Sequence, residues 1–81
     1  MTHQPLCICN RIMQEMDAST IKHGDWSEYT TRRMLDVLID EMQELTLAVA
    51  MNDVHGEHGM VKEAIQVAAC AVKMIVQLER H

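Results

Sequence analysis

Aromatic and basic residues are both scarce in this chain of 81 residues. There is 1 Trp, 1 Tyr and no Phe, and 7 Lys and Arg stand against 12 Asp and Glu, which gives a net charge of -5. A core without aromatic rings must be built from aliphatic residues and the 8 Met, and these side chains suit close packing between helices. Few and scattered basic residues exclude the basic surface with which proteins bind nucleic acids, so we expect no nucleic-acid partner.

Long apolar runs, export signals and fully paired cysteines are also lacking. The longest wholly apolar run covers residues 67–72, which is far too short to cross a bilayer. The chain does not open with a basic segment followed by an apolar one, so no export signal is predicted. The 3 Cys cannot all pair with each other, which favours free thiols in a reducing compartment. We therefore expect a cytoplasmic protein with no membrane partner.

Apolar residues recur at helical intervals, and no segment alternates apolar and polar residues as a strand does. This periodicity predicts helices over about residues 5–22, 25–51 and 60–79. At the start of the second helix, Asp25 and Glu28 have the spacing of a capping box. The predicted fold is an all-α antiparallel bundle of three main helices, or four if a short one is added. Residues 1–81 are expected to form a single domain.

The second and third predicted helices carry more apolar surface than one small chain needs. One continuous seam on the second helix steps by three and four residues, and it consists of Leu35, Leu38, Met42, Leu45 and Val49. The third helix is apolar around most of its circumference, which predicts burial on most sides. Because a chain of this size buries only about 60% of its unfolded surface, we expect a second copy of the chain to complete the core.

Glutamates are spaced at helical intervals on the same two helices. Glu41 and Glu44 are three residues apart, as are Glu63 and Gln66, so each pair shares a helix face. The turn between the helices is short, so the two pairs can face each other across antiparallel neighbours. Carboxylate and amide oxygens are the hard ligands that Mg²⁺ prefers. The spacing is thus consistent either with a magnesium site or with solvated side chains on two helix faces.

Two segments, EMQE at residues 41–44 and EAIQVAA from Glu63, resemble the MazG-like all-α nucleotide pyrophosphohydrolases. The signature of that family is ExxE followed by ExxD, and EAIQVAA is similar to the second motif of its small single-domain members. The resemblance covers about residues 26–78. It implies a homodimer or dimer of dimers that binds Mg²⁺, or alternatively Mn²⁺, and cleaves a nucleoside triphosphate to the monophosphate and pyrophosphate.

Carried over residue by residue, the resemblance makes Glu41, Glu44, Glu63 and Gln66 the metal-site residues, with Glu41 or Glu44 as the catalytic base. Gln66 stands where the family has an aspartate. Its amide is neutral and cannot accept a proton from an attacking water, so the site has one negative charge fewer. The alternative function is a non-catalytic helical module that keeps the bundle and has a degenerate metal site. A third option is a helical protein whose exposed apolar face engages a partner.

Two further residues are candidates for substrate binding. Lys62 adjoins Glu63 and can contact a phosphate, although a solvated surface lysine has the same appearance in a sequence. Trp26 can stack on a nucleobase, or it can pack the first helix against the start of the second. Both alternatives stay open at the level of the sequence.

Overall fold

The structure, a computed structural model, describes residues 5–80, with the side chains of residues 7–22 and 24–80. They form three α-helices, α1 (Pro5–His23), α2 (Thr31–Ala50) and α3 (Met60–Glu79). The predicted all-α bundle is confirmed, and the described residues contain neither a strand nor a fourth helix. Both α1 and α2 pack against α3, whereas the described residues of α1 and α2 make no close contact with each other. A groove therefore runs along α3 between the other two helices.

The start of α2 differs from the sequence prediction. Thr30 is the N-cap, and its hydroxyl accepts a backbone N–H hydrogen bond from the first turn at 3.1 Å. Asp25 instead accepts the backbone N–H of Ser27 at 3.0 Å. Trp26 has a φ of 70°, in the left-handed region that helices made of L-residues do not use. The predicted capping box of Asp25 and Glu28 is therefore wrong, because the chain turns at Trp26 before the helix begins.

The loop of residues 51–59 between α2 and α3 is held by its own hydrogen bonds. The backbone N–H of Gly56 donates to Asp53 Oδ1 at 2.8 Å, and that of Met60 donates to the Asp53 carbonyl at 2.7 Å. Gly59 has no room for a side chain, since a Cβ there would lie 2.7 Å from the backbone nitrogen of Gly56. The carbonyl of Gly59 accepts the backbone N–H of Glu63 at 2.9 Å. The loop thus fixes the first turn of α3, which carries Glu63.

The predicted seam of α2 is partly exposed in the single chain, while Leu38 and Leu45 of the seam are half-buried. Three of its residues are exposed, by 37% at Leu35, 51% at Met42 and 56% at Val49. The fully buried residues of α2 are Met34 and Ala48, which precede Leu35 and Val49 by one position. Both stripes repeat at intervals of three and four residues, so periodicity alone does not identify the one that faces α3.

The buried side of α3 is polar although most of its surface is apolar. Glu63, Lys73 and Gln77 are buried, whereas Ile75 and Leu78 are exposed. The prediction that α3 is buried on most sides depends on a second copy of the chain, and it stays a prediction. The buried apolar residues of the described chain are few, namely Trp26, Met34, Ala48 and Ala69. None of the three described helices is long and apolar enough to cross a membrane.

Candidate metal centre

The acidic residues predicted from the two motifs meet at one place on the groove. Glu41 and Glu44 of α2 and Glu63 of α3 each present a carboxylate oxygen, and these oxygens all lie within 4.8 Å of one another. Ligand oxygens around one Mg²⁺ are about 2.1 Å from the ion, and hence about 3 to 4 Å from each other. The cluster is thus close to the size of a magnesium site, and its donors are of the right chemical type.

The three carboxylates differ in their access to water. Glu63 is 2% exposed, Glu41 is half-buried and Glu44 is exposed. Burial, and after it the charge of Glu44, raises the pKa of Glu41 to about 7. The same two causes raise the pKa of Glu63. Without a cation, the charged form of the cluster is therefore disfavoured, and a bound cation would favour it.

Gln66 lies between two of the acids. With its amide oriented to satisfy both neighbours, its nitrogen donates to Glu41 Oε2 at 3.1 Å and to Glu63 Oε2 at 3.0 Å. A half-turn of the amide brings its carbonyl oxygen to the same place. The residue therefore has two uses: it holds the carboxylates together when no cation is present, and it offers a neutral oxygen ligand when one is bound.

His58 is a neighbour of the cluster that the sequence analysis did not assign to the site. Its Nδ1 lies 3.6 Å from Glu63 Oε1, and this contact lowers the pKa of Glu63 against the larger effect of burial. His58 comes from the loop of residues 51–59, and it shares a surface depression of about 390 Å³ with Glu44 and Glu63. The presence of a histidine five positions before Glu63 was visible in the sequence, but its direction depends on the fold of the loop.

A cleft of about 320 Å³ opens along the groove beside Glu41. Its walls and floor include Glu15, Ser19 and Lys22 of α1, and Gln66, Cys70 and Lys73 of α3. The cleft thus brings two lysines to the same space as Glu41, one of the three acids of the cluster. Glu15, Ser19 and Lys22 are spaced by four and three residues, so they share one face of α1. Nothing in the sequence indicated that this face lies opposite Glu41.

Lys73 is the most deeply buried cation of the described residues, with 4% exposure. Its Nζ donates to Ser19 Oγ at 3.0 Å and lies 4.5 Å from the centre of the Trp26 ring. Burial lowers the pKa of Lys73, while the hydroxyl and the face of the indole ring stabilise its charged form. Lys73 thus supplies a fixed positive charge beside the cleft.

The two residues predicted to bind substrate, Trp26 and Lys62, line two smaller depressions. Trp26 is 5% exposed and its ring stacks on Tyr29 with centres 5.6 Å apart. These contacts agree with the packing alternative, although Trp26 also lines a smaller cleft of about 220 Å³ together with Arg33 and Glu41. Lys62 lines a neighbouring depression with Arg11 and Glu15, and Glu15 also lines the cleft beside Glu41. Lys22, Arg33 and Lys73 line clefts that also contain Glu41.

The thiols do not add a nucleophile to the site. Cys7, Cys9 and Cys70 are free, as the cysteine count predicted. Cys70 lines the cleft, but burial, followed by the charge of Glu41, raises the pKa of its thiol to about 11. Only the thiolate is strongly nucleophilic, so Cys70 is a small apolar residue of the groove.

Comparisons of the chain with protein-family models, with curated proteins and with solved structures gave no match.

Proposed function

We propose that the chain is a Mg²⁺-dependent nucleoside triphosphate pyrophosphohydrolase, related in mechanism to the MazG-like enzymes, that releases the monophosphate and pyrophosphate. The observation that carries the proposal is the convergence of Glu41, Glu44 and Glu63 within 4.8 Å beside a cleft lined by lysines. Negative ligands hold a divalent cation, and the cation together with the lysines compensates the charge of a triphosphate. An acidic chain can bind a polyanion in this way.

The carboxylates Glu41, Glu44 and Glu63 would hold the ion, with Gln66 as a neutral fourth ligand. Bound Mg²⁺ supplies phosphate charge neutralisation and a template that orients the reacting groups. Glu41 is the proton acceptor for the attacking water, because it is the carboxylate of the cluster that lines the cleft with Lys22 and Lys73. Water adds to a phosphoryl group, its proton passes to Glu41, and the bond between the α- and β-phosphates breaks.

Lys73 and Lys22 position the polyphosphate. Lys73 is fixed by Ser19 and Trp26, so its ammonium group loses little further freedom when it binds an anion. Lys22 is exposed at the wall of the same cleft. Positive charges that are already in place stabilise the charge that develops on the transferred group without reorganisation.

One observation favours the second candidate function, a non-catalytic helical module. The amide of Gln66 already satisfies an oxygen of Glu41 and one of Glu63. A cluster stabilised in this way does not need a cation in order to fold. The helical module keeps the bundle and the groove but neither binds Mg²⁺ tightly nor cleaves nucleotides.

The deciding experiment measures pyrophosphate release from a panel of nucleoside triphosphates with Mg²⁺ and with Mn²⁺. The native chain should release pyrophosphate, and Glu41→Gln should lower the rate by about 100-fold or more because it removes the proton acceptor. The matched control is Asp40→Asn, which neutralises an exposed carboxylate next to Glu41 in the chain and should leave the rate unchanged. If the native chain releases no pyrophosphate from any nucleotide, or if Glu41→Gln and Asp40→Asn have equal rates, the result would support the helical module instead.

A further inference from the structure

The acidic cluster borders two spaces of different character. Farther along α3 lies the cleft beside Glu41, which includes Lys22 and Lys73. Towards the loop between α2 and α3 lies the surface depression of about 390 Å³ that contains Glu44 and Glu63. None of the described lysines and arginines lines this depression. The two spaces therefore offer a ligand opposite surroundings, one with fixed positive charge and one without it.

The depression presents apolar side chains to solvent. Leu47 is 63% exposed and Met51 is 71% exposed, and both line the depression together with the buried Ala48. Its polar residues, besides the two glutamates of the cluster, are Asp53 and His58. Small-molecule sites have volumes of about 300–1,000 Å³ and are mostly apolar with a few polar groups. The depression thus has the size and the composition of a site for a small, uncharged ring system.

We propose that this depression binds the nucleoside half of a nucleoside triphosphate, with the β- and γ-phosphates in the cleft of Lys22 and Lys73. The inference rests on the proposed function, and it states how the substrate lies across the cluster. Cleavage between the α- and β-phosphates places the two halves of the substrate on opposite sides of the reacting bond. The terminal phosphates carry most of the negative charge and are stabilised by the lysines, whereas the uncharged nucleoside gains most from apolar surface.

The ring of Trp26 does not offer a competing site for the base. It is 5% exposed, stacks on Tyr29 and lies 4.5 Å from Lys73 Nζ, so neither face is open to a further ring. The smaller cleft that Trp26 lines also contains Arg33, whose charge suits a phosphate better than a base. Of the three spaces that contain an acid of the cluster, the depression is the one that combines exposed apolar side chains with the absence of a described lysine or arginine.

The side chains of the depression suit the two surfaces of a nucleobase. Met51 is flexible and polarizable, and methionine sulfur makes favourable contacts with aromatic rings. Neutral His58 has one hydrogen-bond donor and one acceptor, which match the polar edge of a base. The loop that presents His58 is fixed by the hydrogen bonds of Asp53 with Gly56 and Met60. The apolar side chains therefore cover the face of the base, while the loop supplies a polar partner at its edge.

The first test compares the binding of two probes to the full chain with Mg²⁺. One probe is the α,β-methylene analogue of adenosine triphosphate, which resists cleavage, and the other is inorganic tripolyphosphate, which lacks the nucleoside. Met51→Ser should raise the dissociation constant of the analogue by about 10-fold and leave that of tripolyphosphate unchanged. Lys22→Ala should weaken both probes alike, because both carry terminal phosphates. The matched control is Met42→Ser, since Met42 is an exposed methionine of α2 that lines neither the depression nor the cleft.

A second test locates the base in the native chain. With isotope-labelled methionine methyl groups, the ring current of a bound base should shift the Met51 resonance, which the Met51→Ser spectrum assigns. Tripolyphosphate should leave that resonance in place, and neither probe should move the resonance of Met42.

The outcomes separate this inference from the function on which it rests. If both probes bind but Met51→Ser weakens them equally, or if the analogue does not shift the Met51 resonance, the nucleoside site is overturned and the phosphate site of the proposed function stands. If Met42→Ser weakens the analogue as much as Met51→Ser does, the depression is likewise overturned as the nucleoside site. If the native chain binds neither probe with Mg²⁺, the proposed function and this inference fail together.

Discussion

The side-chain amide of Gln66 donates to the carboxylate of Glu41 across the interface between α2 and α3, over 3.1 Å. The same amide nitrogen lies 3.0 Å from Glu63. One neutral residue of α3 therefore ties together two carboxylates that repel each other. This contact decides how the cluster behaves with and without a cation, and the first prediction tests it directly.

Replacing Gln66 by aspartate should make the fold depend on Mg²⁺. The variant loses two hydrogen bonds and gains a fourth carboxylate, so the free energy of unfolding without metal should fall by about 1–3 kcal/mol. The added charge should tighten Mg²⁺ binding, so saturating Mg²⁺ should restore much of that loss. Urea unfolding of the native chain, Gln66→Asp and the exposed control Gln43→Asp measures the effect. If the free energy of unfolding falls equally in Gln66→Asp and Gln43→Asp, or if Mg²⁺ does not restore it in Gln66→Asp, the result would contradict the prediction.

The activity of Gln66→Asp separates the two candidate functions. In a working hydrolase adapted to glutamine, the substitution should leave pyrophosphate release unchanged or lower it, because the geometry fits an amide. In a degenerate site, the restored charge should create release where the native chain has none. The measurement is pyrophosphate release with Mg²⁺ and Mn²⁺, and complete inactivity of both chains would end the hydrolase hypothesis.

Mg²⁺ should raise the melting temperature of the native chain. A ligand that binds only the folded state stabilises it by about 2.7 kcal/mol when its concentration is 100 times its dissociation constant. Glu44→Ala should abolish the response, and since Glu44 is exposed, this variant should keep its fold. Glu57→Ala, at an exposed loop position, serves as the matched control and should respond as the native chain does. If millimolar Mg²⁺ does not change the melting temperature of the native chain, the result would argue against a preformed site.

Without metal, stability should fall as the pH rises from about 4.5 to about 7. The pKa of Glu41 is higher in the folded chain than in the unfolded one, so the folded state binds more protons in this window. The contribution of Glu41 is at most about 3 kcal/mol, reduced by its partial exposure. The raised pKa of Glu63 acts in the same direction.

Urea unfolding at about pH 5 and about pH 8 measures this loss. Glu41→Gln should flatten the profile, because the amide does not titrate. Mg²⁺ should also reduce the slope, since it stabilises the charged carboxylates at the higher pH. A native stability that rises across this range would show that other groups dominate.

Trp26 should behave as a packing residue. It is 5% exposed and lies between Tyr29 and Lys73, so its fluorescence should resist quenching by acrylamide in the folded chain. Trp26→Ala should cost about 3–5 kcal/mol of unfolding free energy. Nucleotides should leave the fluorescence of this sole tryptophan almost unchanged. Strong quenching by a nucleotide would restore Trp26 as a base-stacking residue.

The sequence predicted the helices well where local signals decide them. The bounds of α1 and α3 and the end of α2 fall within one residue of the prediction. The start of α2 was missed because the left-handed turn at Trp26 depends on burial of its ring against Lys73, a residue far along the chain. Propensity and capping patterns describe neighbours in sequence and do not contain such a contact.

The site was predictable where chemistry and helix geometry coincide. Glu41, Glu44 and Glu63 were identified from their spacing together with the family resemblance of their two motifs, and the fold brings them together. The sequence favoured Lys62 among the cations only because it adjoins Glu63, since Lys62 and Lys73 look alike in a sequence. The two lysines are eleven residues apart, so they lie on nearly the same side of α3 but about three turns from each other. Lys62 is exposed and lines a depression with Arg11, whereas Lys73 is buried and lines the cleft beside Glu41.

The fastening of α1 has a mechanical consequence. Among the described residues, two side-chain hydrogen bonds reach α3 from α1 and the turn after it, Lys73 to Ser19 and Gln77 to the carbonyl of Asp25. Both lie towards the C-terminal ends of α1 and α3, and α1 does not closely approach α2. Polar contacts therefore hold α1 in register with α3 at one end only, at Ser19 and Asp25. Glu15, which lines the cleft with Glu41, lies one helical turn before Ser19, so the position of this acid in the cleft depends on that attachment.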